Sequence, residues 1–159
     1  MSLSEKLRQE LGRLAPFAHG EAVVEASEGG QRLRCELVAL DTLACAFTGL
    51  EVVSDALAGR PAGQLRAVAE ALSKRLTYLL EPISPIEVDA EHCVVQMRSN
   101  PPQKDEGTTS YYELLVGRSG QIGLVRYARA GGAPRSIVPA HVTREVLYRL
   151  VGDFAAAGI

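Results

Sequence analysis

Two turns, Glu28-Gly29-Gly30-Gln31 and Gly117-Arg118-Ser119-Gly120, each join two runs in which apolar residues alternate with polar ones, and no other feature constrains the fold as much. Before the first turn stands EAVVEAS; after it comes RLRCELVAL, where Leu33, Cys35 and Leu37 alternate with Arg32, Arg34 and Glu36. A period of two marks strands with one dry and one wet face, and a short glycine turn makes neighbours of the strands it joins. The sheet is therefore antiparallel, and other elements must cover its dry face.

Those elements are readable as helices. Leu3, Leu7, Leu11 and Leu14 recur at helical spacing behind Ser2 or Ser4 as caps, which predicts a helix over residues 3 to 14, weakened at Gly12 and ended by Pro16. Leu65, Val68, Leu72, Leu76 and Leu79 predict a long helix that runs to Glu81-Pro82, because proline disfavours helical geometry in the residue before it. Thr143 caps a last helix through Val146, Leu147, Leu150, Val151 and Phe154, with Glu145 in its first turn, where the helix dipole favours it. Between them, LACAFTGLEVV supplies a third strand after a tight turn at residues 40–42, with Leu43, Cys45 and Phe47 on one face and a bulge at Gly49. After the long helix come IEV and CVVQMRS around Asp89-Ala90-Glu91-His92, SYYELLV and QIGLVRYAR around Gly117 to Gly120, the turn AGGAPR, and a brief extended piece at Ser136 to Val138. The expected order is helix, three-strand meander, long helix, four or five strands, helix: one α+β domain over residues 1–159.

With 47% hydrophobic and 23% charged residues, the composition is that of an ordinary globular chain. A net charge of −2 gives no general reason to expect nucleic acid as a partner. Cys35, Cys45 and Cys93 are too few and too scattered for a disulfide framework, the charged N-terminus lacks the apolar core of a secretory signal, and no run is long enough to span a membrane. A soluble cytoplasmic protein without a membrane partner is expected.

The order of elements, helix, EAVVEAS, RLRCELVAL, LACAFTGLEVV, long helix ending in LTYLL, hairpins and last helix, resembles that of type III secretion chaperones over most of the chain. The resemblance implies a homodimer that holds an extended segment of another protein, without catalysis. It carries over no functional residue. LSKRLTYLLEPISPIEVD to MRSNPP reads as a small bacterial domain and not as an enzyme.

Each candidate site has a plain structural counterpart. His92 and Cys93 point to opposite faces if both lie in a strand, and His19 and His141 stand at no ligand spacing from them, so no metal site and no cofactor is expected. Residues Gly117 to Gly123 lack the following helix that a phosphate loop or a nucleophile elbow needs. Glu87 and Asp89 share a strand face opposite Ile86 and Val88, the pattern of a solvated face; no catalytic residue is assigned. From Leu114 to Arg144 there is no acidic residue, while Arg118, Arg126, Arg129, Arg135 and Arg144 fall in that span. Arg118, Arg126, Tyr127, Arg129 and Arg135 are accordingly the candidate binding residues, for phosphate or for an acidic protein segment. The same arginines would instead pair with the acidic residues from Glu81 to Glu91 if the two stretches lie side by side. Tyr111 and Tyr112 point to opposite faces, one into the core and one outward, where it suits an interface.

Two functions follow from these residues. The first is a non-enzymatic module that binds another protein, or itself as a homodimer, through an exposed sheet face. The second is a small-ligand or anion-binding protein, or an enzyme, using a pocket between the long helix and the sheet with Arg126, Tyr127 and Arg129. The polar stretch Ser99 to Thr109 is longer than a hairpin loop, and Asn100 to Gly107 is expected to be disordered or clamped against a partner.

Overall fold

The structure, a computed structural model, describes residues 1–99 and 102–158 and, for Pro85 and Ile86, the backbone alone. The described residues form an α+β domain with three helices, α1 (Leu3–Gly12), α2 (Ala62–Arg75) and α3 (Arg144–Ala157), and ten strands. The strands are β1 (Ala22–Glu28), β2 (Gln31–Leu40), β3 (Ala44–Ser54), β4 (Ile83–Asp89), β5 (Val94–Ser99), β6 (Gln103–Asp105), β7 (Thr108–Gly117), β8 (Gln121–Ala130), β9 (Ser136–Val138) and β10 (Ala140–Thr143). All pair antiparallel, in the order β1-β2-β3-β8-β7-β5-β4, with β6 beside β7. β3 and β8 touch only between Leu50–Val53 and Gln121–Leu124. Beyond that point they diverge, and β9 fills the gap against β8 while β10 fills it against β3, the chain crossing over at Pro139.

The alternation read from sequence decides which face is covered. Leu33, Cys35, Leu37, Leu50, Val52, Leu114, Val116, Ile122 and Leu124 are buried on one face, under Leu3, Leu7 and Leu11 of α1, Leu65 and Leu72 of α2, and Leu147, Leu150 and Phe154 of α3. Helix ends follow their caps: Ser2 forms a capping box with Glu5, and the Val146 amide donates to Thr143 Oγ1. The register between β2 and β3 shifts around Leu37, next to the Glu36–Gly49 pair, as the expected bulge requires. At Gly120, in the left-handed region, a side chain would strike the Ser54 carbonyl, so only glycine fits where the β7–β8 turn abuts the end of β3.

Four expectations need correction. The long helix ends at Arg75, short of Glu81, because the chain turns there while Leu76 and Leu79 still enter the core by an irregular connection. Within it Leu80 takes a left-handed φ of 65° and stands 93% exposed. Leu43 is exposed in the turn and not on the face of Cys45 and Phe47, because Asp41 Oδ1 accepts from the Leu43 and Ala44 amides and folds residue 43 out of the strand. The strands after α2 number seven, not four or five, since the short β6 and β10 carry no alternation to read. Finally, the described part of the stretch Asn100 to Gly107 is ordered on its own chain: β6 pairs with β7 through a two-residue turn at Glu106-Gly107, both left-handed. Asn100 and Pro101 lie outside the described residues.

Candidate functional site

The distal ends of β5 to β9 carry a different cluster on each face. On the face away from the helices, strand register sets three rows: Lys104, Thr109 and Arg129; then Tyr111, Tyr127 and Ile137; then Arg98, Glu113 and Val125. Arg135, just before β9, lies over the Tyr127 ring at 3.8 Å. It donates to Glu113 Oε2 at 2.8 Å and to the Tyr111 hydroxyl at 3.2 Å. The bond to Tyr111 holds the guanidinium more firmly protonated, a shift that desolvation opposes and Glu113 assists. Arg98 lies 5.0 Å over Tyr111, and the two tyrosine rings are 6.1 Å apart. Glu113 is only 6% exposed, its Oε1 has no hydrogen-bond partner among the described residues, and Arg135 takes its charge. Arg98 and Lys104 have no carboxylate partner among the described residues, and Arg129 donates only to the Ala133 carbonyl. Ile137 adds an apolar side chain that is 54% exposed.

On the helix side, directly behind this patch, Arg126 lies 4.6 Å over the Tyr112 ring and 3.2 Å from Glu81 Oε2. Its Nη2 donates to Gln103 Oε1 and Ser110 Oγ. Burial raises the Tyr112 hydroxyl pKa, with Arg126 pulling it down and Glu81 pushing it up. Glu81, Gln103, Tyr112 and Arg126 line a cleft of about 600 Å³ with Leu79, Leu80, Pro102, Pro139 and His141.

The five candidate residues therefore do not form one patch. Tyr127, Arg129 and Arg135 come together on the outer face. Arg126 points through the opposite face, where Glu81 meets it; this is the pairing with the acidic stretch that the sequence left open, realised at one position. Arg118 is exposed in the β7–β8 turn, at the other end of the hairpin from Arg129. Of the pocket expected beside the long helix, Arg126 is present and Tyr127 and Arg129 are absent. Arg98, Lys104, Glu113 and Gln103 were not singled out, because they belong to other strands and only cross-strand register brings them in, whereas Glu81 was named only as the start of the acidic stretch.

The remaining candidates resolve into local structure. His92 Nδ1 lies 2.8 Å from Asp89 Oδ2 inside their turn, and the His92 amide bond holds the Asp89 carboxyl below its usual range. Glu87 is exposed on β4, and Gly117 to Gly123 form a turn and the start of a strand. Among the described residues no three metal-ligating side chains cluster. Burial pushes the Cys45 thiol up to about 11 and Cys35 higher still, so both behave as small core hydrophobes. A further cleft of about 630 Å³, between residues 16–18, β10 and the ends of β2 and β3, is lined mainly by Pro16, Phe17, Ala39, Ala46 and Val142. Among the described residues no helix is long and apolar enough to cross a membrane. Comparison of the chain with protein-family models, with curated proteins and with solved structures gives no match, so the likeness to secretion chaperones stands on the order of elements alone.

Proposed function

We propose that this chain is a non-catalytic binding module whose distal outer sheet face takes an acidic, extended segment of another protein. The reading rests on one observation: Arg98, Lys104, Arg129 and Arg135 surround Tyr111, Tyr127 and Ile137 on a face that no helix covers, and Glu113, the one carboxylate in those rows, is already spent on Arg135. Tyrosine and arginine are the residues that carry most binding energy at protein interfaces, and the exposed cations select the charge of what docks. The β1–β2 end of the same face lacks this excess, since Arg32 is met by Asp55 and Arg34 by Glu25 and Glu36. The homodimer and the cytoplasmic location expected from sequence belong to this reading as proposals.

The test is fluorescence anisotropy with a labelled peptide of glutamates interspersed with isoleucines, against its lysine counterpart and an oligothymidine of equal charge. Micromolar binding of the acidic peptide, weakened by salt and lost in Arg98→Glu/Arg129→Glu, is the expected result. Tighter binding of the oligothymidine, or equal binding of both peptides, refutes it. Light scattering decides between a foreign segment and a second copy: a dimer that masks Tyr111 and Tyr127 from the peptide assigns the face to self-association.

A further inference from the structure

The last row of the outer face differs from the rest of that face in what it lacks. Register sets Lys104 of β6, Thr109 of β7 and Arg129 of β8 side by side. Directly opposed residues on neighbouring strands stand about 5 Å apart at Cβ, so a hydroxyl lies between two cations. No carboxylate shares the row. Asp105, the next residue on β6, alternates to the opposite face. Among the described residues neither Lys104 nor Arg129 enters an ion pair, and the Thr109 hydroxyl has no hydrogen-bond partner. Both cations are exposed, so a molecule that docks here reaches them directly from solvent.

The three donors are also held in position. Arg129 Nε donates to the Ala133 carbonyl at 2.9 Å, which fixes the guanidinium, and among the described residues neither of its Nη groups has a partner. The turn that carries Ala133 is tied to the β6–β7 turn, where the Gly131 amide donates to the Gly107 carbonyl at 3.3 Å. Thr109, being β-branched, has few rotamers to lose. Arg135, one residue beyond the Ala128–Ser136 pair, stands close by but is already bonded to Glu113 and Tyr111. The uncompensated charge of this end is therefore that of Lys104 and Arg129, with a hydroxyl between them.

We propose that this row receives a phosphorylated side chain of the acidic segment, an inference that rests on the outer-face reading and specifies what that face selects. The donor set favours phosphate over carboxylate. A carboxylate offers two oxygens in one plane and fits the fork of a single guanidinium. A phosphomonoester offers three oxygens that fan outward and carries about two negative charges at neutral pH. One oxygen meets Arg129, one Lys104 and one the Thr109 hydroxyl, while the ester oxygen leads back to a chain that lies over Tyr111 and Tyr127. Its charge balances both cations, where one carboxylate balances one.

Two labelled peptides of equal length and charge decide it by fluorescence anisotropy: the glutamate–isoleucine sequence with phosphoserine-alanine at its centre, and the same sequence with two glutamates there. The phosphoserine peptide binds about tenfold or more tightly, the gain that added charge-assisted hydrogen bonds provide. In Thr109→Val, which keeps the shape of the side chain and removes its hydroxyl, that preference falls to about twofold or less. Inorganic phosphate, which lacks the flanking chain, competes far more weakly than the phosphopeptide. Equal affinity for the two peptides overturns the phosphate assignment and leaves the acidic-segment reading standing, whereas binding of neither overturns both. Inorganic phosphate competing as well as the phosphopeptide assigns the row to the free ion and overturns the proposal too. The ranking in the unsubstituted protein decides even if Thr109→Val does not fold.

Discussion

Two clusters of the same composition sit back to back on β7 and β8: Arg135 with Tyr127 and Glu113 outside, Arg126 with Tyr112 and Glu81 inside. In each an arginine covers a tyrosine ring and meets a glutamate, yet the surroundings make them different objects. Outside, Arg135 is 36% exposed and hydrogen-bonds both Glu113 and Tyr111. Inside, Arg126 is nearly buried, and its contact with Glu81 lacks a hydrogen bond. The faces differ in how the arginine is held and not in how the carboxylate is satisfied: Glu113 is 6% exposed and Glu81 16%, and each keeps one buried oxygen without a hydrogen-bond partner among the described residues.

Removing each arginine breaks this comparison. Arg126→Met strands Glu81 near the core and is expected to cost about 3 kcal/mol in urea unfolding. Replacing both, as Glu81→Leu/Arg126→Met, should restore stability to within about 1 kcal/mol of the parent, since an apolar pair carries no desolvation penalty. Arg135→Ala is expected to cost only about 1 kcal/mol, because losing the side chain that covers Glu113 lets water reach that carboxylate. Equal costs for Arg126→Met and Arg135→Ala would show that the faces do not differ as described.

Smaller substitutions sharpen the contrast. Leu80→Asn, which suits the left-handed backbone and removes an exposed apolar side chain, should stabilise by about 0.5 kcal/mol. Arg129→Glu should change unfolding by less than about 0.5 kcal/mol and still weaken the acidic peptide severalfold, a change of affinity without a change of fold.

Much of the architecture was legible because it rests on local chemistry. Ser2 and Thr143 capped the helices they were expected to cap, and the alternation in RLRCELVAL and SYYELLV assigned inner and outer faces. The end of α2 was not legible, since the spacing of Leu76 and Leu79 continues the helical period while the chain has already turned. β6 escaped because Gln103-Lys104-Asp105 has no apolar member and is held by backbone pairing, which side chains do not announce. The one available signal was Glu106-Gly107, a two-residue turn next to TTSYY. For the site, the alternation that separates Tyr111 from Tyr112 also separates Arg126 from Tyr127, so their division between faces was readable, as was the distance of Arg118 from the other cations. That Arg98, Lys104 and Glu113 join Arg135, or that Glu81 reaches Arg126, depends on register across strands far apart in sequence.

The most direct measurement is a map of backbone amide shifts in the isotope-labelled protein on titration with the glutamate–isoleucine peptide at low salt. Shifts confined to Arg98, Lys104, Tyr111, Tyr127, Arg129 and Ile137, with Leu79, Tyr112 and Arg126 unmoved, are the result expected if the outer face is the binding surface. Shifts centred on the helix-side cleft or on the β1–β2 end of the sheet, or none at all, would contradict it.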